Sequence, residues 1–263
     1  MIAKINGINL AYADQGRGAP VVLLHAFPQN RAMWAAQVNA LSKTHRVIAP
    51  DFRGFGESDA PLWRYTLEQY ADDVAGLLDH LSVQQAVFAG LSMGGYTLFA
   101  LYRKYADRVK GLVLADTRAQ PDTPEGRAGR FAMAQTAYTK GAGAIADIML
   151  PKLLSTVALQ GKAELVRQVR AGIEQTQISG IAGALMAMAE RPDSVPLLAR
   201  IACPALVVTG ELDGPTPPAD GKLMAELIPG ARLEIILQAG HLSNLEQPEA
   251  FNRALIGFLE EIS

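Results

Sequence analysis

The stretch AVFAGLSMGG, residues 86–95, decides the fold of this chain. A short apolar run leads into a glycine–serine turn, and the residues after the turn have a helical composition. A sharp turn from a buried strand into a helix would strain the backbone of Ser92 and project its hydroxyl from the edge of a sheet. Side chains two residues before and after Ser92 would collide in such a turn, which explains Gly90 and Gly94. The pattern predicts a nucleophile elbow, the turn that presents a catalytic serine.

A second interpretation of the same residues is a glycine-rich turn in which Ser92 caps the following helix. The position directly after a buried apolar run favours the elbow. In that arrangement the first amides of the helix point at the site, where they suit a centre that develops negative charge.

Apolar runs elsewhere predict the sheet to which this turn belongs. They are apolar on both faces and end in a turn or polar residue, as central strands of a parallel sheet do, and they comprise residues 21–24, 47–49, 86–89, 112–115, 205–209 and 233–237. Helical periodicity lies between or after them, at residues 67–81, from 93 to about 105, and after Pro248. Two further strands, 2–5 and 8–12, flank the hairpin signal Asn6-Gly7 and predict an antiparallel edge. We therefore predict an α/β fold with a mostly parallel open sheet of about eight strands and helices on both faces.

The alternation of strand and helix stops between residues 118 and 196. This segment is rich in Ala, Met, Leu and Gln, and it fits short amphipathic helices. We predict a core domain of residues 1–117 and 197–263, interrupted by a helical insertion at 118–196. Since ligands bind at the carboxyl ends of strands in such sheets, we expect the insertion to form a lid over the site. Further surface helices that share the core are the alternative.

Composition excludes several classes of protein. The chain has 263 residues and a net charge of −2, whereas nucleic-acid-binding proteins usually carry a basic surplus. A single cysteine, Cys203, excludes a disulfide framework and a cysteine-rich metal cluster. No apolar run approaches the roughly 18 residues that span a bilayer, and the first residues show no signal-peptide pattern, so we expect a cytoplasmic protein without nucleic-acid or membrane partners. The two tryptophans, Trp34 and Trp63, are expected to be packing residues.

A serine hydroxyl needs a base to act as a nucleophile, and the chain has four histidines. His241 follows the last predicted strand, which places it at the same edge of the sheet as Ser92, and it is the expected base. A surface histidine that caps a turn is the alternative for this position. His45 precedes a strand in a polar turn and His80 lies in the charged helix 67–81, so both are expected to be structural or solvated.

The base in turn needs a carboxylate that holds its tautomer and stabilises the imidazolium. Asp213 lies in the segment 210–215 that follows the predicted strand 205–209, and it is the favoured acid. Two alternatives follow other strands. Asp116 has a position from which it could reach the histidine, and Asp51 lies close in sequence to Arg53, which predicts a structural ion pair.

Two backbone amides are expected to stabilise the oxyanion that forms during acyl transfer. One is the N–H of Met93, the residue after the nucleophile. The other is the N–H of Phe27, in the loop after the predicted strand 21–24. Each such donor is typically worth about 2.7–4 kcal/mol of transition-state stabilisation. Because both are backbone groups, the side chains at these positions are free to vary.

Four motifs make the chain resemble the α/β-hydrolase superfamily over nearly its whole length. They are HAFP at 25–28, DFRGFGES at 51–58, GLSMGG at 90–95, and Gly240-His241 with the helix after Pro248. The order serine, aspartate, histidine is also that of the superfamily. The superfamily commonly has His-Gly where this chain has His25-Ala26, a change that leaves the Phe27 amide available. Within the superfamily, the ending AGHLSNLEQPEAF at 239–251 is most similar to the 3-oxoadipate enol-lactonase and small carboxylesterase group.

The resemblance implies a serine hydrolase that cleaves carboxylic esters or lactones through a Ser-His-Asp triad and an acyl-enzyme, without cofactor or metal. An apolar insertion favours small to medium, largely apolar substrates. Residues 118–196 contain no dense basic cluster, which counts against a strongly anionic substrate such as a dicarboxylate lactone. Relatives use the same triad for perhydrolysis, cofactor-free haloperoxidation or C–C bond hydrolysis. A non-catalytic binding protein on the same scaffold is the remaining alternative.

Overall fold

A computed structural model describes residues 1–62 and 64–262. Trp63, one of the two expected packing residues, lies outside the described residues. The strands of the described part are β1 (Ile2–Ile5), β2 (Ile8–Gln15), β3 (Pro20–Leu24), β4 (Arg46–Pro50), β5 (Ala86–Leu91), β6 (Val109–Ala115), β7 (Ala205–Gly210) and β8 (Arg232–Ile236). Its α-helices are α1 (Ala35–Leu41), α2 (Leu67–His80), α3 (Met93–Tyr105), α4 (Pro124–Leu153), α5 (Thr156–Gly161), α6 (Ala163–Glu174), α7 (Ile178–Ala189), α8 (Val195–Leu198), α9 (Pro218–Leu227), α10 (Ser243–Glu246) and α11 (Pro248–Glu261).

In this part of the chain the strands form one eight-stranded sheet in the order β1-β2-β4-β3-β5-β6-β7-β8. β1 pairs with β2 and β2 with β4 in antiparallel orientation, and all other neighbours are parallel. The predicted α/β fold with an antiparallel edge is confirmed. β2 continues to Gln15, past the predicted end at residue 12, because its second half pairs with β4 from Tyr12–Pro50 to Gln15–Val47. That pairing is a tertiary contact, and the apolar pattern of the strand carries no signal for it.

The parallel register brings the carboxyl ends of the central strands to one edge of the sheet. Leu24 of β3 pairs with Gly90 of β5, and Leu91 of β5 pairs with Ala115 of β6. On the other side, β7 and β8 pair as far as Gly210 with Ile236. The turns that follow β3, β5, β6, β7 and β8 therefore lie next to one another.

Helices cover the sheet and bury its apolar residues. β5 and β7 are buried at every position, as central strands should be. α2 begins with a capping box, in which Thr66 and Gln69 exchange two hydrogen bonds of 3.1 Å. Trp34 is fully buried and packs against Phe251, with ring centroids 5.9 Å apart.

Between β6 and β7 the regular structure of the described chain is helical, from α4 to α8. α4 is broken at Gly141, whose φ is 81° and ψ 177°. α7 is buried along most of its length and packs against α4. The exact domain boundaries at 117/118 and 196/197 stay a prediction. None of the helices in residues 1–62 and 64–262 combines the length and apolarity needed to cross a membrane.

Candidate active site

Ser92 lies at the turn between β5 and α3, at the carboxyl edge of the sheet. Its backbone has φ 56° and ψ −110°, a conformation that costs a residue other than glycine about 1–3 kcal/mol. A Cβ on Gly90 would lie 2.5 Å from the carbonyl carbon of Gly94, and one on Gly94 would lie 2.2 Å from the carbonyl oxygen of Leu24. Only glycine fits at either position, and the turn has the geometry of a nucleophile elbow.

Three side chains from separate loops meet at this turn. Nε2 of His241 lies 2.9 Å from Oγ of Ser92. Nδ1 of the same ring lies 3.0 and 2.9 Å from the two carboxylate oxygens of Asp213. The three residues are buried, with exposed fractions of 8% for Ser92, 4% for Asp213 and 3% for His241. When Nδ1 carries the proton toward the carboxylate, Nε2 is free to accept the serine proton.

Thr216 orients the carboxylate of Asp213, a role that the sequence analysis did not assign to it. Its N–H donates to one carboxylate oxygen at 2.9 Å and its hydroxyl to the other at 2.6 Å. Oγ1 also lies 3.2 Å from Nδ1 of His241. The available sequence signal was a threonine three residues after an aspartate, a spacing at which the carboxylate can accept a local backbone hydrogen bond.

Backbone hydrogen bonds join the loop of Asp213 to the loop of His241. The N–H of Glu211 donates to the carbonyl of Ile236 at 2.9 Å, and the N–H of Leu212 donates to that of Ala239 at 2.8 Å. These bonds continue the parallel pairing of β7 and β8 beyond the ends of the strands. The acid and the histidine therefore meet because their strands are neighbours in the sheet.

Asp116, the first alternative acid, lies nearby but directs its carboxylate elsewhere. One oxygen accepts the N–H of Gly210 at 2.7 Å, and the other accepts the hydroxyl of Ser243. Burial and the neighbouring charge of Asp213 raise the pKa of Asp116 well above its usual range. Asp116 thus links the end of β6 to β7 and to α10.

Asp51, the second alternative acid, is held by Arg31 and not by Arg53. Its oxygens accept the backbone N–H of Arg31 at 2.7 Å and that of Glu57 at 3.0 Å, and they also pair with the Arg31 guanidinium. Arg53 instead pairs with Asp73 of α2, at 2.6 and 2.7 Å. The predicted ion-pair partner was wrong, because the side chains at 51 and 53 point to different elements after the end of β4.

The other histidines lie away from the serine. His25 is fully buried in the loop after β3, where its Nε2 accepts the N–H of Phe52 at 3.0 Å. Burial lowers its pKa to about 4, although the charge of Asp51 acts in the opposite direction. His45 is half-buried beside Thr44, and His80 is exposed at the end of α2.

The two expected oxyanion donors lie on segments that border Ser92. Met93 is the first residue of α3, and the first amides of a helix have no acceptor within the helix. Phe27 follows β3, and its side chain lines the same cavity as Ser92. Within residues 1–62 and 64–262, no acceptor receives the Phe27 N–H. The two amides therefore stay the predicted donors to an oxyanion.

A cavity of about 300 Å³ has Ser92 and His241 in its wall. Its apolar lining includes Phe27, Met133, Met149 and Met188, and its cationic lining consists of Arg118, Arg130 and Lys152. A wider groove of about 800 Å³ shares Arg118, Lys152 and Pro215 with it. The sequence of the insertion contains no dense basic cluster, but the fold brings these three cations, which are far apart along the chain, into one cavity wall.

Asp122 contributes the carboxylate of this lining and is shared by several arginines. Its Oδ1 lies 2.7 Å from Arg191 and 3.3 Å from Arg118, and Oδ2 pairs with Arg130. Although burial acts in the opposite direction, the hydrogen bonds and charges of Arg130 and Arg191 hold the pKa of Asp122 below its usual value. The cavity lining therefore carries three cationic side chains and one carboxylate, which leaves it with an excess of positive charge.

Comparison with known proteins agrees with this geometry. The sequence model of a family described by its alpha/beta hydrolase fold matches residues 19–248. The chain belongs to this family. The matched range of this α/β hydrolase includes HAFP, DFRGFGES, GLSMGG and Gly240-His241, and it ends at Pro248, where the last helix begins. No group of three or more potential metal ligands was found among its described residues.

Individual relatives match over almost the whole chain. This α/β hydrolase is 34% identical to 3-oxoadipate enol-lactonase 2 of Acinetobacter baylyi over 255 residues, 97% of this chain and 94% of the relative. A thermophilic esterase from Thermogutta terrifontis, solved with malate bound, is 44% identical with a TM-score of 0.95, and the match covers 97% of this chain and 94% of that one. An enol-lactonase from Burkholderia xenovorans is 37% identical with a TM-score of 0.93, over 99% of this chain and 100% of that one. The resemblance to the enol-lactonase and esterase group is confirmed.

Proposed function

We propose that this α/β hydrolase is a serine hydrolase that cleaves carboxylic esters or lactones through an acyl-enzyme. The observation that carries the proposal is the unbroken hydrogen-bonded path from Ser92 Oγ through His241 to Asp213, which opens into a cavity beside two available amides. Relatives named as an esterase and as enol-lactonases support the same reaction class.

In the first half of the reaction, Ser92 Oγ attacks the ester carbonyl carbon while its proton moves to Nε2 of His241. The carbonyl oxygen takes up the electron pair and accepts hydrogen bonds from the amides of Phe27 and Met93. Asp213 keeps the imidazole ring oriented and stabilises its positive charge. The tetrahedral adduct then expels the alkoxide, which takes the proton from Nε2.

In the second half, water attacks the acyl group on Ser92 and gives its proton to His241. The second tetrahedral adduct releases the carboxylic acid and restores the serine hydroxyl. For a lactone the leaving alkoxide stays covalently joined to the acyl group, so a single hydroxy acid is the product. The same chain of residues performs both half-reactions.

We further propose that the preferred ester or lactone carries a carboxylate. Arg118 and Arg130 line the cavity, and Lys152 forms no ion pair with any residue that the structure describes. These three cationic side chains face a single carboxylate, Asp122, in the cavity lining. The excess of positive charge favours a substrate that carries a carboxylate. The three methionines would contact the apolar part of such a substrate.

The helical insertion is proposed to be the lid of this site. Met133, Met149 and Lys152 of α4 and Met188 of α7 contribute to the cavity wall, opposite residues of the core. A cover of this kind excludes bulk water, which strengthens the hydrogen bonds to the oxyanion.

A p-nitrophenyl ester series and a fluorophosphonate probe test the reaction class. Wild-type protein should hydrolyse short esters and be labelled at Ser92, as located by mass spectrometry. Ser92→Ala should abolish labelling while circular dichroism shows a folded protein. A folded Ser92→Ala variant with full esterase activity would refute the proposal.

Substrate charge is tested with two p-nitrophenyl esters of similar length, the valerate and the hemiglutarate. The hemiglutarate should have the higher kcat/KM, and Lys152→Gln should reduce its kcat/KM about tenfold, equivalent to about 1.4 kcal/mol, with little effect on the valerate. Lys140→Gln is the matched control, because Lys140 is exposed on the same helix and lies outside the cavity lining. Equal preference for the two esters would contradict the anionic substrate and leave the reaction class intact.

A further inference from the structure

The one-turn helix α10 directly follows the loop of His241 and makes polar contacts that the proposed mechanism does not use. Ser243 donates to the carboxylate at the end of β6. Asn244 donates through Nδ2 to the carbonyl of Met33 at 2.9 Å. Glu246 bonds to the start of α5. All three side chains are buried, so α10 is fixed to three separate parts of the fold.

Glu246 has an exposed fraction of 1%, and its carboxylate accepts hydrogen bonds from two loops. Oε1 accepts the N–H of Ser155 at 2.9 Å and the N–H of Gly240 at 3.1 Å. Oε2 accepts the hydroxyl of Ser155. Ser155 is the N-cap of α5, and Gly240 immediately precedes His241. A single buried carboxylate therefore joins the helical insertion to the histidine loop.

The contact is close on both sides of the histidine. A Cβ on Gly240 would lie 2.6 Å from the backbone nitrogen of Ser155 and 2.8 Å from Oε1 of Glu246, so glycine is needed there. On the other side of His241, the N–H of Leu242 donates to the carbonyl of Leu153 at 3.0 Å. The backbone around the imidazole is thus held against the junction of α4 and α5.

The same junction carries part of the cavity wall. Met149 and Lys152 lie in the last turns of α4 and line the cavity together with Ser92 and His241. The position of the insertion over the cavity and the position of the histidine therefore depend on the same set of hydrogen bonds.

We propose that Glu246 is a positioning residue for His241, which it holds in line with Ser92 and Asp213 by fixing Gly240 to the α4–α5 junction. The inference rests on the proposed function, because it assigns Glu246 a part in keeping the base in place.

Glu246 acts through the length of its side chain and its hydrogen-bond acceptor oxygens, and not through its charge. In the part of the chain that the structure describes, its carboxylate oxygens are bonded to N–H and O–H groups and pair with no cation. The Lys162 ammonium donates to the backbone carbonyl of Glu246 instead. An amide oxygen of the same reach should therefore replace the carboxylate, whereas a shorter side chain with the same charge should not.

Two substitutions separate reach from charge. Glu246→Gln keeps the length and an acceptor oxygen, and it should retain at least a third of the wild-type kcat. Glu246→Asp keeps the charge but is one methylene shorter, so it cannot meet Ser155 and Gly240 together, and kcat should fall at least tenfold with KM little changed. Glu249→Asp is the matched control, since Glu249 is an exposed residue in the first turn of α11. Rates are expressed per site titrated with a fluorophosphonate, so that misfolded protein does not count.

The pH–rate profile supplies a readout that a purely structural role would not move. In Glu246→Asp the acidic limb of kcat/KM should shift to lower pH, because a displaced imidazole loses part of the Asp213 contact that stabilises its charged form. Should this variant fail to fold, Ser155→Ala removes only the hydroxyl that Oε2 of Glu246 accepts, and it should shift the acidic limb in the same direction by a smaller amount.

Three outcomes would overturn the inference: an unchanged rate per titrated site in Glu246→Asp, an unchanged acidic limb, or equal losses in Glu246→Gln and Glu246→Asp. Absence of labelling and of esterase activity in the wild type would instead refute the proposed function.

Discussion

Replacing His25 with glutamine should reduce the loss of unfolding free energy that the chain undergoes between pH 7 and pH 5. His25 is fully buried, its Nε2 accepts the N–H of Phe52 at 3.0 Å, and its Nδ1 lies 3.0 Å from the carbonyl of Ala26. Both contacts suit the neutral ring. The loop that they hold leads directly to Phe27, an expected oxyanion donor, so acid instability here would also damage the proposed site.

The sign and size of the effect follow from the pKa of His25. Burial lowers this pKa from 6.5 to about 4 in the folded chain, so the unfolded chain binds the proton more tightly and stability falls as the pH drops through this window. At about 1.36 kcal/mol for each pH unit, a change from 6.5 to about 4 corresponds to about 3 kcal/mol in total. About 2 kcal/mol of unfolding free energy is lost in this way between pH 7 and pH 5. Well above pH 6.5 the ring is neutral in both the folded and the unfolded chain, so its titration has no effect on stability there.

Urea unfolding at pH 7 and pH 5 measures this quantity. The wild type should lose about 2 kcal/mol more than His25→Gln between the two pH values, because all other titrating groups are common to both proteins. His80→Gln is the control, since His80 is exposed at the end of α2, and it should behave like the wild type. The same pH dependence in His25→Gln and the wild type would refute the reasoning.

Five further substitutions probe the candidate site and its turn. Ser92→Ala and His241→Ala should each reduce kcat on p-nitrophenyl esters by about 10⁴-fold or more, to a similar residual rate, because triad members act as a unit; single-variant and double-variant kinetics check this. Asp213→Asn should lower kcat about 10⁴-fold. Asp116→Asn should change kcat less than tenfold, because the Asp116 side chain bonds to Gly210 and Ser243. A larger loss in Asp116→Asn than in Asp213→Asn would assign the role of the acid to Asp116. Gly94→Ala should unfold the chain or lower its melting temperature by more than 10 °C, since the added Cβ lies 2.2 Å from a carbonyl oxygen; an unchanged melting temperature would contradict the close approach.

The sheet could be predicted from the sequence because its signals are local. An apolar run such as 86–89, closed by a glycine turn and followed by helical periodicity, identifies a strand, a turn and a helix without any distant information. The edge at which Ser92 and His241 should meet follows from the parallel pairing of such units, whereas the order of the strands was not predicted. The same local reading favoured Asp213, because it lies in the turn after the predicted strand 205–209 and gives the order serine, aspartate, histidine.

Side-chain partners that depend on long-range packing could not be predicted in the same way. Asp51 was expected to pair with Arg53, its neighbour in sequence, but its partner is Arg31 of the preceding loop. The positive charge of the cavity could not be predicted for a similar reason, since Arg118, Arg130 and Lys152 form no cluster along the chain. Residues that are close in sequence determine the charge density along the chain. The charge of a cavity also depends on residues that are brought together from distant parts of the chain.

The positive φ of Ser92 means that the proposed nucleophile lowers the stability of the folded chain. A glycine at this position would relieve about 1–3 kcal/mol of strain and give back only about 0.5–1 kcal/mol through greater freedom of the unfolded chain. Any side chain at residue 92 therefore weakens the folded state, and a screen that rewards heat resistance alone would favour glycine there, which has no hydroxyl. Directed evolution of this scaffold needs a turnover criterion in every round.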